Sequence, residues 1–280
     1  MMKKVVLILL MLVVPMMAFS LFDDDKGSDK EYLELVSSIK DVVISTQKTR
    51  GLTNSFLNGN VSAQLLVFAQ REEMMKEFDV TKKLLETTKL SQPYVLEAED
   101  LMKRLKKLNK KAFRKNPAET FGDYTKVIEA WIDLNRKIIE TQFKAGDKEI
   151  YLAVSTLNNT LLPLTENIGK LRGMGSGIVA RKVCKEDERP KMQQFVTNIE
   201  SYRSKMKVYL DGHPVSGLAP SDIETINNRI VTYTDLTQDE VIEQEEITLD
   251  ANAFFDQGTA CIGGVLKIYN ALESDIKKKL

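Results

Sequence analysis

One arginine constrains this chain more than any other residue. Alternating steps of four and three from Tyr32 meet Val36, Ile39, Val43, Thr46, Arg50, Thr53 and Leu57, the spacing of the apolar seam of an amphipathic helix. Arg50 stands inside that seam. A guanidinium taken out of water is costly unless it is paired and hydrogen-bonded, so the fold must supply Arg50 with an anionic partner or leave room for one from outside.

The same helical period runs through nearly the whole chain. Helices are expected over residues 31–57, 62–88, 94–115, 118–145, 147–185, 190–212, 221–246 and 250–279. Asn58-Gly59-Asn60, Asn116-Pro117 and Asp211-Gly212 punctuate them, and Ser62, Asp147 and Ser221 stand as N-caps. Pro163 should bend the fifth helix, because it removes a backbone donor. No run shows strand alternation, and no short period recurs as in a solenoid. The expectation is an all-α fold of about eight helices in two four-helix bundles that share long helices. The last helix carries a seam of Ala251, Phe255, Gly258, Ile262, Val265, Tyr269, Leu272 and Ile276, with Gly263 and Gly264 suited to close helix contact.

At the N-terminus Lys3 and Lys4 precede an apolar run over residues 5–18, and Ala18-Phe19-Ser20 offers small residues for a signal peptidase. Residues 1–20 are expected to be a signal peptide cleaved after Ser20, with 21–30 as a polar leader. The alternative is an uncleaved membrane anchor over residues 5–22. Either places the rest of the chain in the periplasm or otherwise outside the cytoplasm.

Forty basic residues balance forty acidic ones across 280 positions, which argues against nucleic-acid binding by overall charge. Residues 103–115 are strongly basic and 235–250 strongly acidic; both read as solvated faces, with docking on an anionic or basic partner as the alternative. Cys184 and Cys261 are the only cysteines and read as small buried residues. His213, the single histidine, sits in a turn. No catalytic constellation, metal-ligand spacing or cofactor motif is present, so no enzyme, metal or cofactor is expected.

The arginine-glycine pair occurs twice, at Arg50-Gly51 and Arg172-Gly173. Arg172 borders the fifth helix's apolar seam of Leu157, Leu161, Leu164, Ile168, Leu171, Gly175 and Ile178, whereas Arg181 falls on the opposite side and is expected to be solvated. Interior glycines at 51, 173, 175 and 177 each cost a helix about 1 kcal/mol relative to alanine. Close helix contact or room for a small ligand would offset that cost. Two guanidinium forks across a small gap suit a compact planar oxyanion. Thr46, Thr53 and Ser176 could add donors, and Gln47 and Asn54 lie beside them. A salt bridge to Asp or Glu is the structural alternative.

Gln47-Lys48-Thr49-Arg50-Gly51-Leu52-Thr53 resembles the opening motif of the nitrate- and nitrite-sensing domain. Leu171-Arg172-Gly173-Met174-Gly175-Ser176 is similar to that domain's second motif, and Phe254-Phe255-Asp256-Gln257-Gly258-Thr259-Ala260-Cys261-Ile262 to its closing helix. The resemblance implies an all-helical sensor over residues 31–280, with nitrate or nitrite bound between Arg50 and Arg172, often in a homodimer. Family members commonly carry a glutamate where this chain has Thr49, which would remove a carboxylate from the pocket, and an aspartate where it has Gly263. They are usually fused to an output domain. Here the sensor reaches Leu280, so signalling is expected to pass to a separate membrane protein. The competing expectation is a structural or protein-interaction bundle with no small ligand.

Overall fold

The computed structural model describes residues 28–280. The signal peptide at 1–20, its alternative as an anchor at 5–22 and most of the 21–30 leader lie outside the described residues. Every regular element among the described residues is helical: α1 (Asp29–Leu57), α2 (Ala63–Thr87), α3 (Gln92–Lys111), α4 (Pro117–Gln142), α5 (Lys148–Thr156), α6 (Leu162–Arg181), α7 (Arg189–Gly212), α8 (Pro220–Thr237) and α9 (Ala251–Lys279). A 3₁₀ turn follows α3, and π turns at Leu157–Leu161 and Gln238–Ile242 follow α5 and α8. Since α5 runs through its π turn into α6, the described residues form eight rods.

Helices α1 to α4 make one bundle, and α5 to α9 the other. Within the first, α1 packs on α2 and α4; within the second, α6 packs on α7 and α9; and α1 packs on α6 to join them. A helix placed so is buried on every side. From Tyr32 to Ser55 most of α1 is inaccessible, including Ser45, Thr46 and Thr49. Their hydroxyls donate to backbone carbonyls three or four residues back, Ser45 and Thr46 to Val42 and Thr49 to Ser45, which satisfies them inside an apolar surround.

The helix ends follow local chemistry, with corrections. Ser28 and Glu31 form a reciprocal capping box that starts α1 at Asp29 rather than at residue 31. Asp147 caps α5 as expected, and Asp250, expected inside the last helix, instead caps α9. Ser62 caps nothing, because its hydroxyl donates to Asn60 Oδ1 instead. Ala219, not Ser221, precedes α8, and its N–H donates to Asp222. Pro163 lies just after the first π turn, in the first turn of α6, where its missing N–H is tolerated. α6 ends at Arg181, and Lys182 closes it in the left-handed region with φ 63°. Gly263 is exposed, with no heavy atom near the position of a Cβ, so it provides no helix contact. Cys184 and Cys261 are buried and free. Among the described residues no helix is long and apolar enough to cross a membrane.

Candidate functional site

The site forms where α1 and α6 cross. The helices run parallel: Gln47 lies against Gly169, Gly51 against Gly173 and Asn54 against Gly177. At the crossing a Cβ on Gly173 would lie 3.1 Å from the Gly51 Cα, and one on Gly51 would lie 3.5 Å from the Gly173 Cα. Side chains on both would force the rods apart. Asn54 Nδ2 then donates to the Gly173 carbonyl at 2.8 Å, tying the two arginine-glycine pairs together.

Each arginine leaves the crossing toward the last helix of its own bundle and meets the same partners there. The Arg50 guanidinium lies over the Phe121 ring at 4.8 Å and donates from Nη1 to Thr125 Oγ1 at 2.9 Å. Arg172 lies over the Phe255 ring at 4.5 Å and donates from Nη1 to Thr259 Oγ1 at 2.9 Å. In α4 and α9 alike, Phe and Thr are one turn apart and the threonine donates back to the phenylalanine carbonyl at 2.9 Å. The glycines complete the exchange. A Cβ on Gly51 would come within 2.9 Å of the Phe255 ring, and one on Gly173 within 3.0 Å of the Phe121 ring, so each motif's glycine makes room for the ring that supports the other arginine.

Charge breaks this likeness. Glu166, buried in α6, takes both terminal nitrogens of Arg50, Nη1 to Oε1 at 2.6 Å and Nη2 to Oε2 at 3.1 Å. Lys170 Nζ stands 3.8 Å from the same carboxylate and 2.7 Å from Glu129. Arg172 has no ion pair among the described residues, although only 2% of it is exposed. Burial, helped by the repulsion of Arg50, pulls its pKa down to about 10; it is still a cation at neutral pH. Beside it the buried Tyr233 hydroxyl has no hydrogen-bond partner, and burial pushes its pKa well above the usual phenol range.

The other expected site residues divide. Thr53 Oγ1 is buried without a hydrogen-bond partner. Thr46 donates to Val42 and touches Met74, away from α6. Ser176 donates to the Arg172 carbonyl at 2.7 Å. Gln47 is fully buried, and neither its amide nitrogen nor its oxygen has a partner. Arg181 is not solvated as expected: it binds Glu188 at 2.6 Å and donates to Asn58, because α6 ends against the end of α1. Among the described residues no group of three His, Cys, Asp or Glu side chains could hold a metal ion.

Two clefts approach the crossing. One, of about 500 Å³, is lined by Phe121, Thr125, Lys170 and Arg181; the other, of about 580 Å³, by Leu52, Asp256, Phe255 and Thr259. Each thus reaches one arginine's ring and hydroxyl. Glu166, the two Phe-Thr pairs and Tyr233 did not emerge from sequence reasoning. Glu166 had a signal, as the single acid between Ile150 and Arg181.

The family described as nitrate and nitrite sensing matches residues 41–277. A solved structure, that of the NasR transcription antiterminator, is similar to this fold with a TM-score of 0.70 and 15% identity, over 88% of this chain and 68% of that one. A comparison with curated proteins returned no match.

Proposed function

This chain belongs to the nitrate- and nitrite-sensing family, and we propose on that premise that it is an exported sensor whose ligand, nitrate or nitrite, is held between Arg50 and Arg172. One observation carries the proposal: among the described residues Arg172 is a buried guanidinium without a counter-ion, beside an arginine that has one. Desolvating a cation disfavours folding unless an anion accompanies it. The count favours a monovalent ligand, because Glu166 balances Arg50 and one positive charge is left at Arg172. Thr53 contributes a donor whose hydroxyl is uncommitted, while Thr46 and Ser176 line the helices and spend their protons on backbone carbonyls. Export rests on the lysine-flanked apolar run at 3–18. The output would pass by contact to a separate membrane protein, with the sensor acting as a homodimer.

Thermal unfolding in nitrate, nitrite, chloride and sulfate at matched ionic strength tests the ligand. An anion at a hundred times its dissociation constant stabilises by about 2.7 kcal/mol. Nitrate or nitrite should do so selectively, and Arg172→Ala should remove the effect. Equal responses to all four salts would instead favour a structural bundle whose arginines serve packing alone.

A further inference from the structure

We propose that Gln47 and the Nε–Nη2 edge of Arg50 receive the anion over Gly169, with Glu166 remaining on the other edge as a fixed counter-ion. The proposal rests on the oxyanion reading above and locates the ligand within it.

A guanidinium has two edges that can each donate a pair of hydrogen bonds. Glu166 takes the edge formed by Nη1 and Nη2. The edge formed by Nε and Nη2 is open: Nε is buried and unpartnered, and Nη2 carries a second hydrogen. Gln47, one turn earlier on α1, is fully buried with both amide atoms unpartnered. A buried carboxamide with neither bond made is rare and costly, so it marks a place where something polar is received. Gly169 joins the two groups. A Cβ there would lie 3.2 Å from Gln47 Oε1 and 3.3 Å from Arg50 Nη2, so the unpaired amide and the open edge meet against this glycine, and any side chain here would press on both. Arg172 lies one turn further along α6 and supplies the uncompensated charge.

These donors match a planar anion with three oxygens. Two oxygens take the paired donors of the Arg50 edge, and the third takes Gln47 Nε2 once the amide turns that atom toward the seat. Nitrite lacks the third oxygen, so Gln47 is the residue that favours nitrate over nitrite. Because the carboxylate of Glu166 stays in place, a divalent anion would exceed the charge available, which disfavours sulfate.

Calorimetric titration with sodium nitrate and sodium nitrite at fixed ionic strength, on the full chain, tests the seat. Gly169→Ala should weaken nitrate binding at least tenfold by displacing the Gln47 amide and the Arg50 edge, the ends of flexible side chains against which its new methyl would press. Gln47→Leu should weaken nitrate tenfold and reduce the preference over nitrite. Gln47→Glu should bring its own carboxylate to the open edge, unfolding at a higher temperature than wild type without salt and no longer responding to nitrate. This gain remains readable should the other variants fold poorly. A wild-type chain that binds nitrate while all three variants bind it within twofold overturns the seat but leaves the sensor intact. A wild-type chain that binds neither anion overturns both.

Discussion

The two bundles treat the same residue in opposite ways. Each sends an arginine from its central helix onto a phenylalanine ring and a threonine hydroxyl of its last helix, and each gives up a side chain beside that arginine for the other bundle's ring. Glu166, reaching across from the second bundle, closes the guanidinium fork of the first bundle's arginine; among the described residues nothing closes the fork of the second. The shared features are those that position a cation. The feature that differs decides whether the cation is neutralised, so matched packing carries a closed ion pair on one side and, among the described residues, a buried cation without a counter-ion on the other.

Breaking the pair should have the largest effect. Arg50→Met leaves the buried Glu166 carboxylate with Lys170, at 3.8 Å, in place of its two-pronged partner, and stability should fall by up to about 3–5 kcal/mol in a denaturant titration. Adding Glu166→Leu to Arg50→Met should recover most of that loss, since replacing a buried ion pair with apolar groups is often neutral. If the single variant unfolds no more easily than wild type, Glu166 is solvated or neutral and the contrast between the bundles disappears.

Arg172→Met should move stability the other way. A pKa drawn down from its ordinary value means that the unfolded chain holds this proton more tightly than the folded one, so the charge destabilises the fold at every pH below about 10 and ceases to do so as the pH rises further. Without added anion, Arg172→Met should gain roughly 1–3 kcal/mol; with saturating nitrate the gain should vanish, because only wild type is stabilised. A loss in anion-free buffer would mean that the guanidinium has a partner in solution.

The smallest effect sharpens the comparison. Thr125→Val removes one of several bonds to the Arg50 guanidinium, whereas Thr259→Val removes the only hydrogen bond that the Arg172 guanidinium makes among the described residues. Stabilities of the two variants should differ by about 1 kcal/mol, with Thr259→Val the more costly. Equal losses would show that the two threonines act only as packing.

Much of this was legible in the chain and some was not, for physical reasons. Periodicity places Arg50 in a buried seam because that seam is a property of one helix. The arginine-glycine pairs mark a place of close approach because interior helix glycines need a contact or a space to offset their cost. Partners are different: Glu166 reaches Arg50 only through the parallel pairing of α1 with α6, and the Phe-Thr supports come from helices far along the sequence. Arg181 was misjudged because a helical wheel shows a side opposite the seam but not that α6 ends against Asn58 and Glu188. Ser62 has the right residue type for a cap, but Asn60 captures its hydroxyl.

The crossing of Gly51 with Gly173 lies within one polypeptide, and this has a consequence for stoichiometry. A seat built there is completed by a single chain, so each copy would take up one anion whether or not it had met a second copy. Occupancy would then follow a simple hyperbola in anion concentration, unaffected by diluting the protein. Any sharpness in the downstream response would have to arise where assembled copies meet their partner.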